Sequence, residues 1–133
     1  KINLLKTTED VYILGDENKI AQVFDNLIQN AASFSKENNF INIRLEKKLE
    51  NVTIIVEDNG PGFSKGSLKK VFDRFYTDRP KNEKFGNHSG LGLSISKQIV
   101  EAHNGSIEAL NRLNEKKECL GGSVKVTFPE IKT

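Results

Sequence analysis

The chain has 133 residues, enough for one domain with a sizeable core. A net charge of +2, with charged residues at 29%, gives no case for nucleic acid or a charged membrane surface as partner. The single cysteine, Cys119, excludes an internal disulfide and fits a reducing compartment. No apolar run approaches the roughly 20 residues of a membrane span, and no signal peptide is visible.

The chain opens on KINLLK without an initiator Met, as an excised domain would. Lys1–Lys6 and Val11–Leu14 read as short strands. Asp16 then caps a helix running to about Ser35, with Ile20, Phe24, Leu27, Ala31 and Phe34 as its buried stripe. Phe40–Lys48 and Asn51–Glu57 alternate as strands, the second presenting Val52, Ile54 and Val56 on one face. A DNGPGF turn and a short helix through Phe72 follow. Thr77–His88 is polar and aperiodic. Ser89–His103 reads as a second long helix, closed by Asn104-Gly105 in C-cap style. Ser106–Leu110 and Ser123–Phe128 read as a closing hairpin around a solvated loop at Asn111–Glu118. This order predicts an α+β fold: a two-layer α/β sandwich, a mixed β-sheet covered on one face by helices.

Three stretches carry chemistry. The first helix has a second face of Lys19, Gln22, Asn26, Asn30 and Ser33. Two Asn one turn apart are odd in mid-helix, because Asn is a mediocre helix former. Their carboxamides can share one ligand, and a hard cation such as Mg²⁺ takes oxygen donors of this kind. A solvated polar face is the plainer reading of that stretch alone. Asp58 continues the face of Val52, Ile54 and Val56, so it points toward the apolar side. A buried carboxylate needs donated hydrogen bonds, and the exocyclic amine of adenine is such a donor. Gly60 and Gly62 leave room for backbone to lie against a flat ligand, although an ordinary Asp-Asn-Gly turn fits equally. In SGLGLSIS, Gly90 and Gly92 open a helix that they should weaken, at about 1 kcal/mol each. Backbone N–H groups wrapping a phosphate at a helix N-terminus would account for them. No Gly-Lys-Ser/Thr of a Walker loop occurs, and the third Gly of a dinucleotide fingerprint is missing.

Taken in order, Asn26 and Asn30 in DNLIQNA, then DNGPGF, VFDRFY and SGLGLSIS, resemble the N, G1, F and G2 boxes of sensor histidine kinases. These boxes belong to the catalytic ATP-binding domain, which has the Bergerat ATPase fold shared with DNA gyrase, the heat-shock chaperone ATPases and the mismatch-repair ATPases. The resemblance extends from LGD at Leu14–Asp16 to VTFP at Val126–Pro129. It implies that residues 1–133 are one catalytic domain that binds ATP and Mg²⁺, with Asn30 as metal ligand and Asn26 beside it. The implied catalytic set is Asn26, Asn30 and Arg74. The implied nucleotide-binding set is Asn26, Asn30, Ser33, Asp58, Gly60, Gly62, Phe63, Phe75, Tyr76, Ser89, Gly90, Leu91, Gly92 and Leu93. Phe72 and Phe75 would anchor an ATP lid at about 77–89. Ser33 departs from the pattern, since many relatives carry Lys or Arg there, and Lys36, Arg74 or Arg79 are left to supply the charge.

The resemblance also implies partners. The γ-phosphate would pass to a histidine on a separate helical dimerisation domain, absent from this chain, and onward to an Asp of a response regulator. The full-length protein would be a homodimer through that domain, and this part would be the cytoplasmic portion of an inner-membrane sensor. His88 and His103 have no acidic helical-hairpin context and read as structural or solvated. Two other readings stand beside this one: a stand-alone ATPase of the gyrase and chaperone kind, or a nucleotide-dependent interaction module such as an anti-sigma-factor kinase. The hydrolases of that superfamily carry a Glu base where this chain has Asn26, which disfavours the first. Intact Asn30, Asp58, Gly90 and Gly92 argue against a degenerate module.

Overall fold

The computed structural model describes residues 2–6, 11–34, 40–60, 62–63, 68, 70–73 and 92–131. Five strands form one sheet: β1 (Ile2–Lys6), β2 (Ile41–Lys48), β3 (Asn51–Asp58), β4 (Ser106–Leu113) and β5 (Cys119–Pro129), in the spatial order β1-β2-β3-β5-β4. The β1–β2 pair is parallel and every other pair is antiparallel. The sheet is therefore mixed, and with its helices it makes the expected α+β sandwich.

The helices are α1 (Glu17–Phe34) and α2 (Gly92–Ala102), with a single 3₁₀ turn at Lys70–Phe72. Asp16 caps α1 as expected: its Oδ1 accepts from the N–H groups of Asn18 at 2.9 Å and Lys19 at 3.1 Å. At the end of α2, Asn104 takes the left-handed conformation with φ +62°. Gly105 N–H then bonds Val100 O, and Asn104 N–H bonds Glu101 O, a Schellman ending.

Register explains the core. Val52 faces Phe128, Ile54 faces Val126 and Val56 faces Val124 across β3 and β5, and Val124 faces Ala109 on β4. All are buried, and the period of two puts them on one face of the sheet. Val23, Leu27 and Ala31 from α1 and Leu93, Ile99 and Val100 from α2 complete the same cluster. The opposite face carries ion pairs such as Arg44–Glu57 at 3.1 Å and Lys125–Glu108 at 3.9 Å.

Two sequence expectations change, and the start of the second helix falls outside the described residues. Val11–Leu14 is not a strand. Val11 and Ile13 do pack on the core in alternation, but the ladder is reduced to a bond from Ile131 N–H to Tyr12 O at 2.8 Å. The hairpin is longer than expected, since β4 runs to Leu113 and β5 starts at Cys119. Asn111 and Arg112 are thus strand residues, and the loop shrinks to five positions, 114–118. Asn-Arg opposite Gly-Gly lacks the apolar alternation that marks strands, so the pairing there is invisible locally. The described part of α2 begins at Gly92, because Ser89, Gly90 and Leu91 lie outside the described residues.

His103 ties the two helices together. Its Nε2 accepts from Asp16 N–H at 3.1 Å, while Nδ1 donates to Ile99 O at 2.7 Å. Its ring meets Phe128 edge-on, with centroids 6.4 Å apart. Both ring nitrogens serve the fold, in line with the structural reading of this histidine.

Candidate functional site

The described candidate residues fall in two constructions, one where α1 meets α2 and one at the end of β3. Asn26 is half-buried on α1, and its Nδ2 donates to Gly92 O at 3.2 Å and to the buried Ser96 Oγ at 3.3 Å. The polar face of α1 therefore docks against the first described turn of α2. Asn30, one turn on, is also half-buried. Among the described residues, a Cβ placed on Gly92 would meet the Asn26 side chain at 3.9 Å, an ordinary contact. None of the described residues therefore requires glycine at 92.

The second construction centres on Asp58, which is 4% exposed. Its Oδ1 accepts from Gly60 N–H at 2.9 Å and from Gly122 N–H at 3.2 Å, which leaves Oδ2 for another donor. Burial holds this carboxyl above its ordinary pKa of 3.8, against the opposing pull of the Gly60 and Gly122 N–H groups and of Arg112. The expectation of an inward carboxylate at the strand end is met.

Gly62 has φ +78°, and a Cβ on it would fall 2.5 Å from Cys119 Sγ and 2.7 Å from Asn111 Oδ1. The protein's own packing therefore requires that glycine, where the sequence suggested the approach of a ligand. Phe63 is buried in the core, as are Leu93 and Phe72, and Lys97 Nζ lies 5.9 Å from the Phe72 ring centroid.

The structure brings Asn26 together with Gly92, and Asp58 together with Gly60, Gly62 and Phe63. Arg74, Phe75, Tyr76, Ser89, Gly90, Leu91, the segment 77–89 and the Ser33 side chain lie outside what is described. Sequence reasoning missed Asn111, Arg112, Gly121 and Gly122. The Gly-Gly pair was the available signal, since glycine inside a strand marks a bulge or a close backbone approach. Gly121 has φ +146°, and a Cβ there would overlap the carbonyl oxygen of Asp58.

No group of three or more His, Cys, Asp or Glu side chains that could hold a metal ion exists among the described residues. A protein-only metal cage is thus not formed by them. An amide oxygen completed by phosphate oxygens and water suits Mg²⁺ better than such a cage in any case, and Asn30 supplies the right donor type.

Comparison with known proteins shows the family and the fold. The family model described as histidine kinase-, DNA gyrase B-, and HSP90-like ATPase matches residues 15–132. The chain belongs to this ATPase family. The sensor protein ChvG of Agrobacterium fabrum is 44% identical over 120 residues, which cover 90% of this chain and 20% of that protein. The nucleotide-free catalytic domain of the histidine kinase ThkA superposes with a TM-score of 0.79 at 30% identity, covering 97% of this chain and 78% of that one. ThkA in complex with the response regulator protein TrrA gives a TM-score of 0.77 at 29% identity, covering 98% and 34%. The chain spans about a fifth of the length of the curated relatives it matches. No described helix is long and apolar enough to cross a membrane.

Proposed function

We propose that residues 1–133 are the catalytic ATP-binding domain of a sensor histidine kinase, which holds ATP·Mg²⁺ and presents its γ-phosphate to a histidine on a helical dimerisation domain of the full-length protein. The imidazole nitrogen forms a bond to the γ-phosphorus as the bridging P–O bond breaks and ADP leaves. The phosphoryl group then passes to an Asp of a response regulator, and the full-length protein is a homodimer with this part in the cytoplasm, below an inner-membrane sensor. The carrying observation is Asp58, buried at a strand end with one oxygen held by two main-chain donors and the other left over. Such a carboxylate is suited to accept from the adenine amino group.

In this reading, Gly60, Gly62 and Phe63 shape the base pocket. The α2 start at Gly92 and Leu93, with Ser89, Gly90 and Leu91, faces the phosphates through main-chain N–H groups. Asn30 holds Mg²⁺, which when bound neutralises phosphate charge. Arg74, Phe75, Tyr76 and Ser33 are proposed contacts, and 77–89 the lid. Asn26 spends its amide on α2 and carries no basic group, so nothing at that position activates water. The chain should therefore hold ATP while hydrolysing it slowly, because phosphoryl transfer waits for an oriented nucleophile.

Calorimetric titration of ATP with and without Mg²⁺ is the first test, followed by addition of a helical hairpin bearing the acceptor His. Acid-labile phosphate on the hairpin supports the proposal, and Asn30→Ala should remove only the Mg²⁺-dependent part of binding. Steady-state turnover by the chain alone near about 1 per second, usual for competent enzymes, would overturn it.

Gly92→Ala separates stability from binding. Relief from helical glycine should raise stability by about 0.5 kcal/mol, while the added methyl group obstructs close approach of phosphates and weakens ATP. Thermal melts beside titrations read both, and tighter ATP binding would remove Gly92 from the phosphate site.

Asp58 also predicts a pH dependence. Its folded pKa lies above 3.8, so the stability it contributes is present in full below 3.8 and is lost as pH rises through the raised value. Ligand binding runs the other way, because acceptance from an amine is best with the carboxyl ionised. ATP affinity should fall on acidification at a higher pH than for an ordinary Asp, and the step should be missing in Asp58→Asn.

A further inference from the structure

Asp58 still pairs with Ile41 of β2, but the β3–β5 ladder ends at Glu57 opposite Ser123, and the described residues that follow, 59, 60, 62 and 63, belong to no strand. Besides Gly122 N–H of β5, which donates to Asp58 Oδ1, the contacts that hold this loop come from β4, one strand further away. Phe63 N–H donates to Asn111 Oδ1 at 2.7 Å, and Asn111 Nδ2 donates back to Phe63 O at 2.8 Å. One carboxamide thus makes the pair of bonds that a neighbouring strand would make.

Asn111 can reach because its partner in the β4–β5 ladder is Gly122, which has no side chain, and its Oδ1 occupies the space a Cβ on Gly62 would need. The next residue, Arg112, donates from Nη2 to Asp58 O and to Leu120 O at 3.2 Å. Alternation puts these two side chains on opposite faces of the sheet. Consecutive residues of β4 therefore pin the two ends of one loop, Phe63 from one face and Asp58 from the other.

We propose that Asn111 is a positioning residue that sets base selectivity by holding the Asp58–Phe63 loop against β5. The inference rests on the reading that Asp58 meets the nucleotide base. Without the amide clamp, Phe63 loses both main-chain bonds, Gly62 gains space to relax, and the geometry around the Asp58 carboxylate loosens. An acceptor that is no longer fixed discriminates poorly between an amino group and a carbonyl oxygen on the base.

The test uses the whole chain and compares ATP and GTP affinities by calorimetry, with melting temperatures alongside, for wild type, Asn111→Ala, Asn111→Asp and Val52→Ala. Asn111→Asp keeps the acceptor for Phe63 N–H but sets a carboxylate oxygen against Phe63 O. Val52, 2% exposed, lies at the far end of β3 and serves as a control that destabilises the sheet without touching the loop. Loss of the clamp should lower the ATP-to-GTP affinity ratio about tenfold, as expected from the net worth of one or two hydrogen bonds.

Val52→Ala should lower the melting temperature at least as much and leave the ratio unchanged. A ratio kept within about twofold of wild type in Asn111→Ala overturns the proposal, as does an equal fall in Val52→Ala. Should Asn111→Ala not fold, Asn111→Asp decides by the same criterion. Failure of the functional reading is distinct: wild type itself would then bind no ATP.

Discussion

Asp58→Asn is expected to weaken ATP binding about 100-fold and to erase the preference for ATP over GTP, while raising the melting temperature. The two effects have one origin. The carboxylate is buried, and burial works against its charge. An amide of the same shape retains an oxygen for Gly60 N–H and Gly122 N–H and removes the desolvated charge. The fold therefore gains. The ligand loses, because the Oδ2 position becomes an NH₂ group, and donor then faces donor at the adenine amine. Guanine presents a carbonyl oxygen at that edge and accepts from the new amide. Titrations with both nucleotides and a thermal melt read every part of this, and unchanged ATP affinity would take Asp58 out of the base pocket.

Gly121→Ala should lower stability by about 3 kcal/mol, a melting-temperature loss on the order of 10 °C for a domain of this size. Its φ of +146° is rarely taken by residues with side chains, and the new Cβ would overlap the Asp58 carbonyl oxygen, which is main chain and has nowhere to turn. Relief requires β5 to separate from β3 just where Gly122 N–H reaches the Asp58 carboxylate. Nucleotide affinity should fall with stability, and more than in Val52→Ala. A variant that melts like wild type would mean that the end of β5 moves aside freely.

Much of the fold could be read from local pattern. The Asp16 cap, the Asn104-Gly105 ending, and the face shared by Val52, Ile54, Val56 and Asp58 appear as expected. Of the α1 stripe, Leu27 and Ala31 are buried and Ile20 and Phe24 partly so, Val23 joins them from outside the expected set, and the Phe34 side chain lies outside what is described. Each depends on residues within a few positions of one another, where periodicity and capping chemistry act directly. The reading faltered where pairing was decided from a distance. Val11–Leu14 alternates like a strand but has no ladder, and Asn111–Arg112 does not alternate yet belongs to one. Strand identity is a property of two segments together, and neither sequence stretch contains its partner.

The site divides in the same way. Candidates for the chemistry can be read from type and order: a mid-helix Asn pair, an Asp continuing an apolar face, glycines at a helix start. What supports them cannot. Gly62 reads from sequence as room for a ligand, and the structure adds that the place of its missing Cβ is taken by Asn111 and Cys119 from elsewhere in the chain. Asn26 was assigned beside the phosphates, and the structure adds that its amide nitrogen bonds α2 at Gly92 and Ser96, which lie 66 and 70 residues away. The sequence by itself determined the class of fold and the chemical identity of the candidate site, because these follow from periodicity, caps and residue type over short spans. Only the tertiary structure decided how the site is held, because that depends on close approaches between β3, β4 and β5 whose register no single segment encodes.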